Sequence, residues 1–126
     1  MLVSRRFWDG VGGLAYAFAM ADGAIEKEEI QSFAARIDQA FAHIPTNFPQ
    51  RAGAVFELFY NLNYSPEKAY EEAISHLKEV TEEVRQYRFD ILNIFREVIR
   101  ADGKVHPFEE EFLKKLDMDL EKIVSD

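Results

Sequence analysis

Two stretches of the chain repeat an acidic pattern that could bind a cation. MADGAIEKEEI occupies positions 20–30, and RADGKVHPFEEEF occupies positions 100–112. In each stretch an Ala-Asp-Gly turn is followed by an aliphatic residue two places after the glycine and a glutamate six places after it. The repeated carboxylates are Asp22, Glu29, Asp102 and Glu109. Carboxylate oxygens bind hard divalent cations and basic side chains, so these residues are candidate ligands for either.

Each copy matches the second half of an EF-hand calcium loop, in which glycine occupies the sixth position. The first and third ligand positions would then be Phe18 and Met20 in one copy, and Val98 and Arg100 in the other. None of these side chains offers an anionic oxygen, so a single loop cannot chelate calcium in the EF-hand manner. A calcium or magnesium site would have to be shared by both copies, whose converging carboxylates would otherwise repel one another.

The same pattern also has an interpretation that needs no ligand. Glycine just past a helix end adopts the left-handed conformation without a steric penalty, so each motif can end one helix and begin another. Glu26 and His106 then fall at cap positions, and Pro107 at a first helical position. Glu29 and Glu109, three residues after the caps, would occupy the capping-box position. Capping motifs are far commoner than unusual metal sites, which favours this alternative.

The elements that must position these residues are helical by their apolar periodicity, and no segment alternates with the period of a strand. Helices are predicted over about 6–20, 27–42, 50–62, 66–80, 82–100 and 107–116, and Asp119 can cap a short seventh. We expect a single all-α domain over residues 1–126, a compact bundle of six or seven helices. The first and second helices form one pair, and the fifth and sixth form another. Each pair is joined through one copy of the repeated motif, which predicts an internal pseudo-twofold repeat.

Composition restricts the chemistry further. The chain has no cysteine, which excludes disulfides, thiolate zinc sites and cysteine nucleophiles. Its net charge of −8 disfavours nucleic acid as a partner and favours a cation or a basic protein surface. No serine lies in a nucleophile motif and no glycine-rich phosphate loop occurs, so a metal-dependent hydrolase is the remaining enzymatic alternative.

The N-terminal stretch SRRFWDG, followed by an apolar run at positions 11–21, could be mistaken for a twin-arginine export signal. The run is too short to span a bilayer, and it is preceded and interrupted by Asp9 and three glycines. We therefore expect a cytoplasmic protein without membrane insertion. Trp8, Tyr16, Tyr64 and Tyr70 could edge a groove for a partner helix, although aromatic residues at helical spacing are more often core.

The repeated motif resembles the TerB family, which includes tellurite-resistance TerB proteins and the N-terminal domain of the DnaJ-like co-chaperone DjlA. The residues that carry the resemblance are ADGAIEKEE at 21–29, ADGKVHPFEEEFLKKL at 101–116 and YRFDILNIFREVIRADG at 87–103. The resemblance covers nearly the whole chain. It departs from DjlA in two ways, because the His-Pro-Asp tripeptide of J domains and the membrane-spanning segment have no counterpart here.

The resemblance implies an all-helical, pseudosymmetric bacterial domain with roles in tellurite and stress resistance and no catalysis. It also implies an acidic cluster, linked in some members to divalent cations, at Asp22, Glu29, Asp102 and Glu109. The leading hypothesis is thus a non-enzymatic module with a site for a divalent cation or a basic protein partner. A metal-free interaction scaffold of the co-chaperone type and a metal-dependent hydrolase are the alternatives. Nothing in the sequence indicates the oligomeric state.

Overall fold

The computed structural model describes residues 1–21, 25–100 and 107–125, and for 98–100 and 107 it describes the backbone alone. Six helices account for most of this part of the chain, and a short 3₁₀ turn, Lys27–Glu29, precedes the second. They are α1 (Arg5–Met20), α2 (Ile30–Ala40), α3 (Arg51–Asn61), α4 (Pro66–Lys78), α5 (Thr81–Arg100) and α6 (Pro107–Ser125). The described residues form no strand, only an isolated bridge between Val3 and Thr46. The predicted all-α bundle is confirmed.

The helix starts follow local capping chemistry where the sequence offers it. Ser65 caps α4, because its hydroxyl accepts a hydrogen bond from the backbone N–H of Lys68 at 3.3 Å, and Pro66 occupies the first helical position as predicted. Ser4 caps α1 in the same way through the N–H of Phe7. These side chains satisfy donors that the first turn of a helix leaves without partners.

The last helix differs from the prediction of a break near residue 117, because α6 runs without interruption to Ser125. Leu116, Leu120 and Ile123 are buried at four- and three-residue spacing, so the apolar stripe continues through the expected break. Asp119 does not cap a seventh helix. Its carboxylate instead accepts a hydrogen bond from the Tyr70 hydroxyl at 2.5 Å and so joins α6 to α4.

The first helix is the centre of the bundle, and it packs mainly against α3 and α4. The glycine pair inside α1 allows neighbouring helices to approach closely. A Cβ on Gly12 would lie 2.7 Å from the Ala52 carbonyl oxygen of α3 and 2.7 Å from Val55 Cβ. A Cβ on Gly13 would lie 3.1 Å from Ala73 Cβ of α4. The α3 contact at Gly12 leaves no room for a side chain, whereas the α4 contact at Gly13 is tight but closer to an ordinary packing distance.

The first and fifth helices run parallel to each other. At their starts, the backbone N–H and hydroxyl of Ser4 donate to the carboxylate of Glu83. Toward their ends, the rings of Phe18 and Phe95 lie 5.7 Å apart. Because contacts near both starts and both ends pair in the same order, the helices point in one direction. Both therefore end, at Met20 and Arg100, on the same side of the molecule.

Candidate functional site

Three phenylalanines bring together the helix ends that flank the two acidic motifs. The ring of Phe18, near the end of α1, lies 5.3 Å from that of Phe112 in α6 and 5.7 Å from that of Phe95 in α5. Phe95 and Phe112 complete the cluster at 6.4 Å. Edge-on aromatic contacts of this kind fix relative position as well as burying area. The end of α1, the last part of α5 and the start of α6 thus share one apolar cluster.

The two described carboxylates of the predicted site have different surroundings. Glu109, in the first turn of α6, is only 7% exposed, and it precedes Phe112 by three residues, so both lie on the same side of the helix. Glu29 ends the 3₁₀ turn and is exposed. Asp22 and Asp102 lie outside the described residues, so the four-carboxylate site stays a prediction.

Within residues 1–21, 25–100 and 107–125, no group of three or more histidine, aspartate or glutamate side chains is arranged to hold a metal ion. Two of the four predicted ligands fall outside these ranges. The carboxylate chemistry of the set fits hard cations such as calcium and magnesium, which take oxygen ligands.

At the first motif, the structure differs from the side-chain cap that the ligand-free interpretation predicts. The helix predicted from residue 27 begins with a 3₁₀ turn, and α2 proper starts at Ile30. The Glu26 side chain makes no capping hydrogen bond, and the backbone N–H of Glu29 donates to the Glu26 carbonyl at 2.9 Å. Turns of this type are frequent at helix N-termini, where they satisfy backbone groups without a side-chain cap.

A second candidate site, which the sequence does not indicate, lies between α2 and α3. The two helices are antiparallel, since Phe33 stacks on Phe56 at 4.9 Å, whereas Asp38, later in α2, bonds to Gly53, earlier in α3. Between them and the segment 41–50 is an open groove of about 640 Å³.

One side-chain hydrogen bond across the groove joins α2 to the first turn of α3. Asp38 Oδ1 accepts a hydrogen bond from the backbone N–H of Gly53 at 2.8 Å. A Cβ on Gly53 would lie 2.3 Å from the other carboxylate oxygen and 2.9 Å from the Ala34 carbonyl, so glycine is required for this approach. Burial raises the pKa of the Asp38 carboxyl, the hydrogen bond from Gly53 lowers it, and the nearby charge of Glu57 raises it, with a net increase.

Thr46 organises the end of the groove next to α1. Its hydroxyl accepts hydrogen bonds from Trp8 Nε1 at 2.8 Å and from the Phe48 N–H at 3.1 Å, and donates to the Val3 carbonyl at 3.0 Å. One donor and two acceptors are the full capacity of a hydroxyl. The N-terminal residues, α1 and the segment before α3 are therefore joined through one side chain.

Two of the four aromatic residues predicted to edge a groove do line one, but Trp8 and Tyr70 line different grooves. Trp8 lines the groove between α2 and α3, although little of its side chain is exposed. Tyr16 is buried under Phe56, and its hydroxyl donates to the Tyr64 carbonyl at 2.6 Å. Tyr70 belongs to the contact between α4 and α6, where burial, with the hydrogen bond to Asp119, raises the pKa of its hydroxyl well above the ordinary value. Helical periodicity located these rings on inward faces but did not show which face borders a groove.

An all-helical fold in which two Ala-Asp-Gly motifs follow parallel helices defines the class of protein. The family model described as "Tellurite resistance protein TerB" matches residues 10–121, and the chain belongs to this family. Neither the curated proteins nor the solved structures that were compared gave a match. Among the described residues, no helix has both the length and the apolar character that crossing a membrane requires.

Proposed function

We propose that the chain is a non-enzymatic, cytoplasmic TerB module of a bacterial stress response such as tellurite resistance. Its two acidic motifs form one shared site for a divalent cation or for the basic groups of a partner protein. The observation that carries this proposal is the parallel course of α1 and α5, which both end on the side of the molecule where Phe18 contacts Phe112. An antiparallel course would separate the motifs by the length of a helix.

The ligands of this site are Asp22, Glu29, Asp102 and Glu109, with one aspartate and one glutamate from each motif. Four carboxylates held near each other repel, and a hard cation or basic groups would relieve that repulsion. Calcium or magnesium would supply the neutralising charge. Glu109 is only 7% exposed and precedes Phe112 by one helical turn, which places it on the side of α6 that contacts α1 and α5.

Calorimetric titration of the whole chain with calcium and with magnesium tests the cation. We expect saturable binding that is lost in Asp22→Asn/Asp102→Asn. The matched control is Asp117→Asn/Glu121→Gln, which removes two charges from exposed positions of α6 and should bind as the natural chain does. Equal binding by both variants would refute the site, and absence of binding by the natural chain would leave a metal-free scaffold.

The groove between α2 and α3 favours that second candidate, an interaction scaffold of the co-chaperone type. A scaffold needs a concave surface that admits a partner, and this groove has the required volume without any metal. A phosphoesterase assay with magnesium or manganese tests the non-enzymatic part of both candidates, because turnover would contradict it.

A further inference from the structure

An apolar stripe on α3 faces solvent beside the groove. Ala54, Leu58 and Leu62 are exposed at four-residue intervals, and the two leucines have relative exposures of 53% and 62%. Residues at this spacing lie above one another on a helix, and the outward face of a helix in a bundle is normally polar. Phe48, 41% exposed, lies on the groove lining just before α3 begins.

The groove and the stripe are continuous. Ala54 lines the groove, and Leu58 follows it by one turn on the same face of α3. On the opposite side of the groove, α2 contributes Ala35 and Gln39, which are also exposed. The valley between two antiparallel helices has the shape that a third helix fills when it packs on such a pair.

We propose that this groove and the leucine stripe bind an amphipathic helix of another protein, whose polar face carries lysine or arginine. The apolar side of that helix covers Leu58 and Leu62, and its basic side chains reach Asp38 and Glu57 on the groove lining. Neither Glu29 nor Glu109, the two described carboxylates of the acidic motifs, lines the groove.

The charges along the groove select this occupant. Asp38 and Glu57 are near enough for Glu57 to raise the pKa of the Asp38 carboxyl, so a cation placed between them relieves repulsion. Arg51 also lines the groove, but its guanidinium is already bound to Asp9 at 2.8 Å. A helix with basic side chains is thus complementary to the groove, and an acidic one is not.

The same charges argue against a second copy of the chain. A symmetric contact along α3 would bring the Glu57 carboxylates of both molecules into one interface, because a twofold interface uses one patch twice. Each chain also carries a net charge of −8, so two copies repel before contact.

The test uses a synthetic peptide of leucine and lysine at helical spacing, about 18 residues or five turns long. Binding is followed through Trp8, the sole tryptophan, which lines the groove. We expect Leu58→Ser/Leu62→Ser to weaken binding about tenfold or more, since two apolar contacts are lost. The matched control is Phe89→Ser/Met118→Ser, which removes two apolar groups of similar exposure from α5 and α6 and should change the affinity by less than about twofold.

Three results would overturn the proposal. Equal loss in both double variants, or in neither, would show that the peptide responds only to the overall charge. Equal binding of a leucine–glutamate peptide would remove the basic partner. Sedimentation showing a dimer that Leu58→Ser/Leu62→Ser abolishes would assign the stripe to a second copy. The variant Asp22→Asn/Asp102→Asn should bind the peptide as the natural chain does, so a failure here is separate from a failure of the cation site.

Discussion

Asp38 lies near the end of α2, and yet it caps the start of α3 by accepting the Gly53 N–H at 2.8 Å. Gln50, at the N-cap position of α3, has a left-handed φ of 68° and makes no side-chain capping bond. A helix start leaves several N–H groups without partners, and here one of them is satisfied by a carboxylate from a neighbouring helix. The cap therefore also fixes the spacing of the groove.

Replacing the Asp38 carboxylate with alanine should destabilise the fold, whereas replacing it with the neutral amide of asparagine should not. Asp38→Ala leaves the Gly53 N–H without its acceptor, and we expect a loss of about 1 kcal/mol in the free energy of unfolding. Asp38→Asn retains an oxygen acceptor and removes the buried charge and its repulsion with Glu57, so it should be as stable as the natural chain or more so at pH 7. Urea denaturation measures both. Equal destabilisation by the two variants would contradict the assigned role.

The stability difference between the natural chain and Asp38→Asn should depend on pH. Burial raises the pKa of Asp38 in the folded state, so the folded chain holds this proton more tightly than the unfolded chain. The stabilising contribution is complete below the unfolded pKa of about 3.9 and is lost as pH rises through the folded pKa. Asparagine does not titrate, so the variant should gain relative stability on going from about pH 4 to pH 7. A difference that is constant with pH would show that the carboxyl is not perturbed.

The two neighbouring glycines of α1 should respond differently to alanine. Both substitutions gain the same helix propensity, up to about 1 kcal/mol. Gly12→Ala also drives its Cβ to 2.7 Å from the Ala52 carbonyl, a backbone atom that cannot rotate away, and should lower stability by about 1–3 kcal/mol. Gly13→Ala meets Ala73 Cβ at 3.1 Å and should change stability by less than about 1 kcal/mol. Thermal unfolding followed by circular dichroism compares them, and the reverse order would contradict the α1–α3 spacing.

Thr46→Val should remove the hydrogen bonds that join Val3 and Trp8 to the segment before α3. Valine has the same shape but no hydroxyl, so Trp8 Nε1, in a buried side chain, loses its acceptor at a cost of about 1–3 kcal/mol. Thr46→Ser retains the hydroxyl and loses one methyl group, worth about 0.8 kcal/mol or less. Denaturation followed by Trp8 fluorescence measures both. If serine proved as damaging as valine, packing of the methyl and not the hydrogen bonds would explain the effect.

Glu83 and Glu82 form a matched pair in the first turn of α5. The Glu83 carboxylate accepts from the N–H and hydroxyl of Ser4, so Glu83→Ala should cost about 1–2 kcal/mol. The Glu82 carboxylate pairs with Arg85 at an exposed position, so Glu82→Ala should cost less than about 0.5 kcal/mol. Chemical denaturation at low and high salt gives the comparison, since only a surface pair is strongly screened. Equal costs would indicate that the Ser4 contact contributes nothing in solution.

The sequence predicted the features that depend on residues close together in the chain, such as the positions and starts of helices. The apolar periodicity located the six described helices, and the helix predicted from residue 66 begins at Pro66. The prediction is wrong at Asp119, a residue of a type that often caps helices but that lies inside α6 here. Its actual partner, Tyr70, is far away in sequence and could not be inferred from spacing.

The groove was missed for the same reason. Asp38 and Gly53 are ordinary members of two helical patterns, and only their meeting across the helices gives them a role. A glycine inside the α3 pattern was the one signal that a neighbour approaches closely there. The acidic motifs were conspicuous because they repeat, and their site stays a prediction that the titration above addresses.

The central position of α1 has a consequence for how the chain is made. Positions 10–19 are all buried, and the helices that cover them begin at residues 51, 66, 81 and 107. A ribosome therefore releases this apolar segment well before any of its partners exists. Until those helices exist the apolar side of α1 is uncovered, so we expect a product arrested before α4 to aggregate.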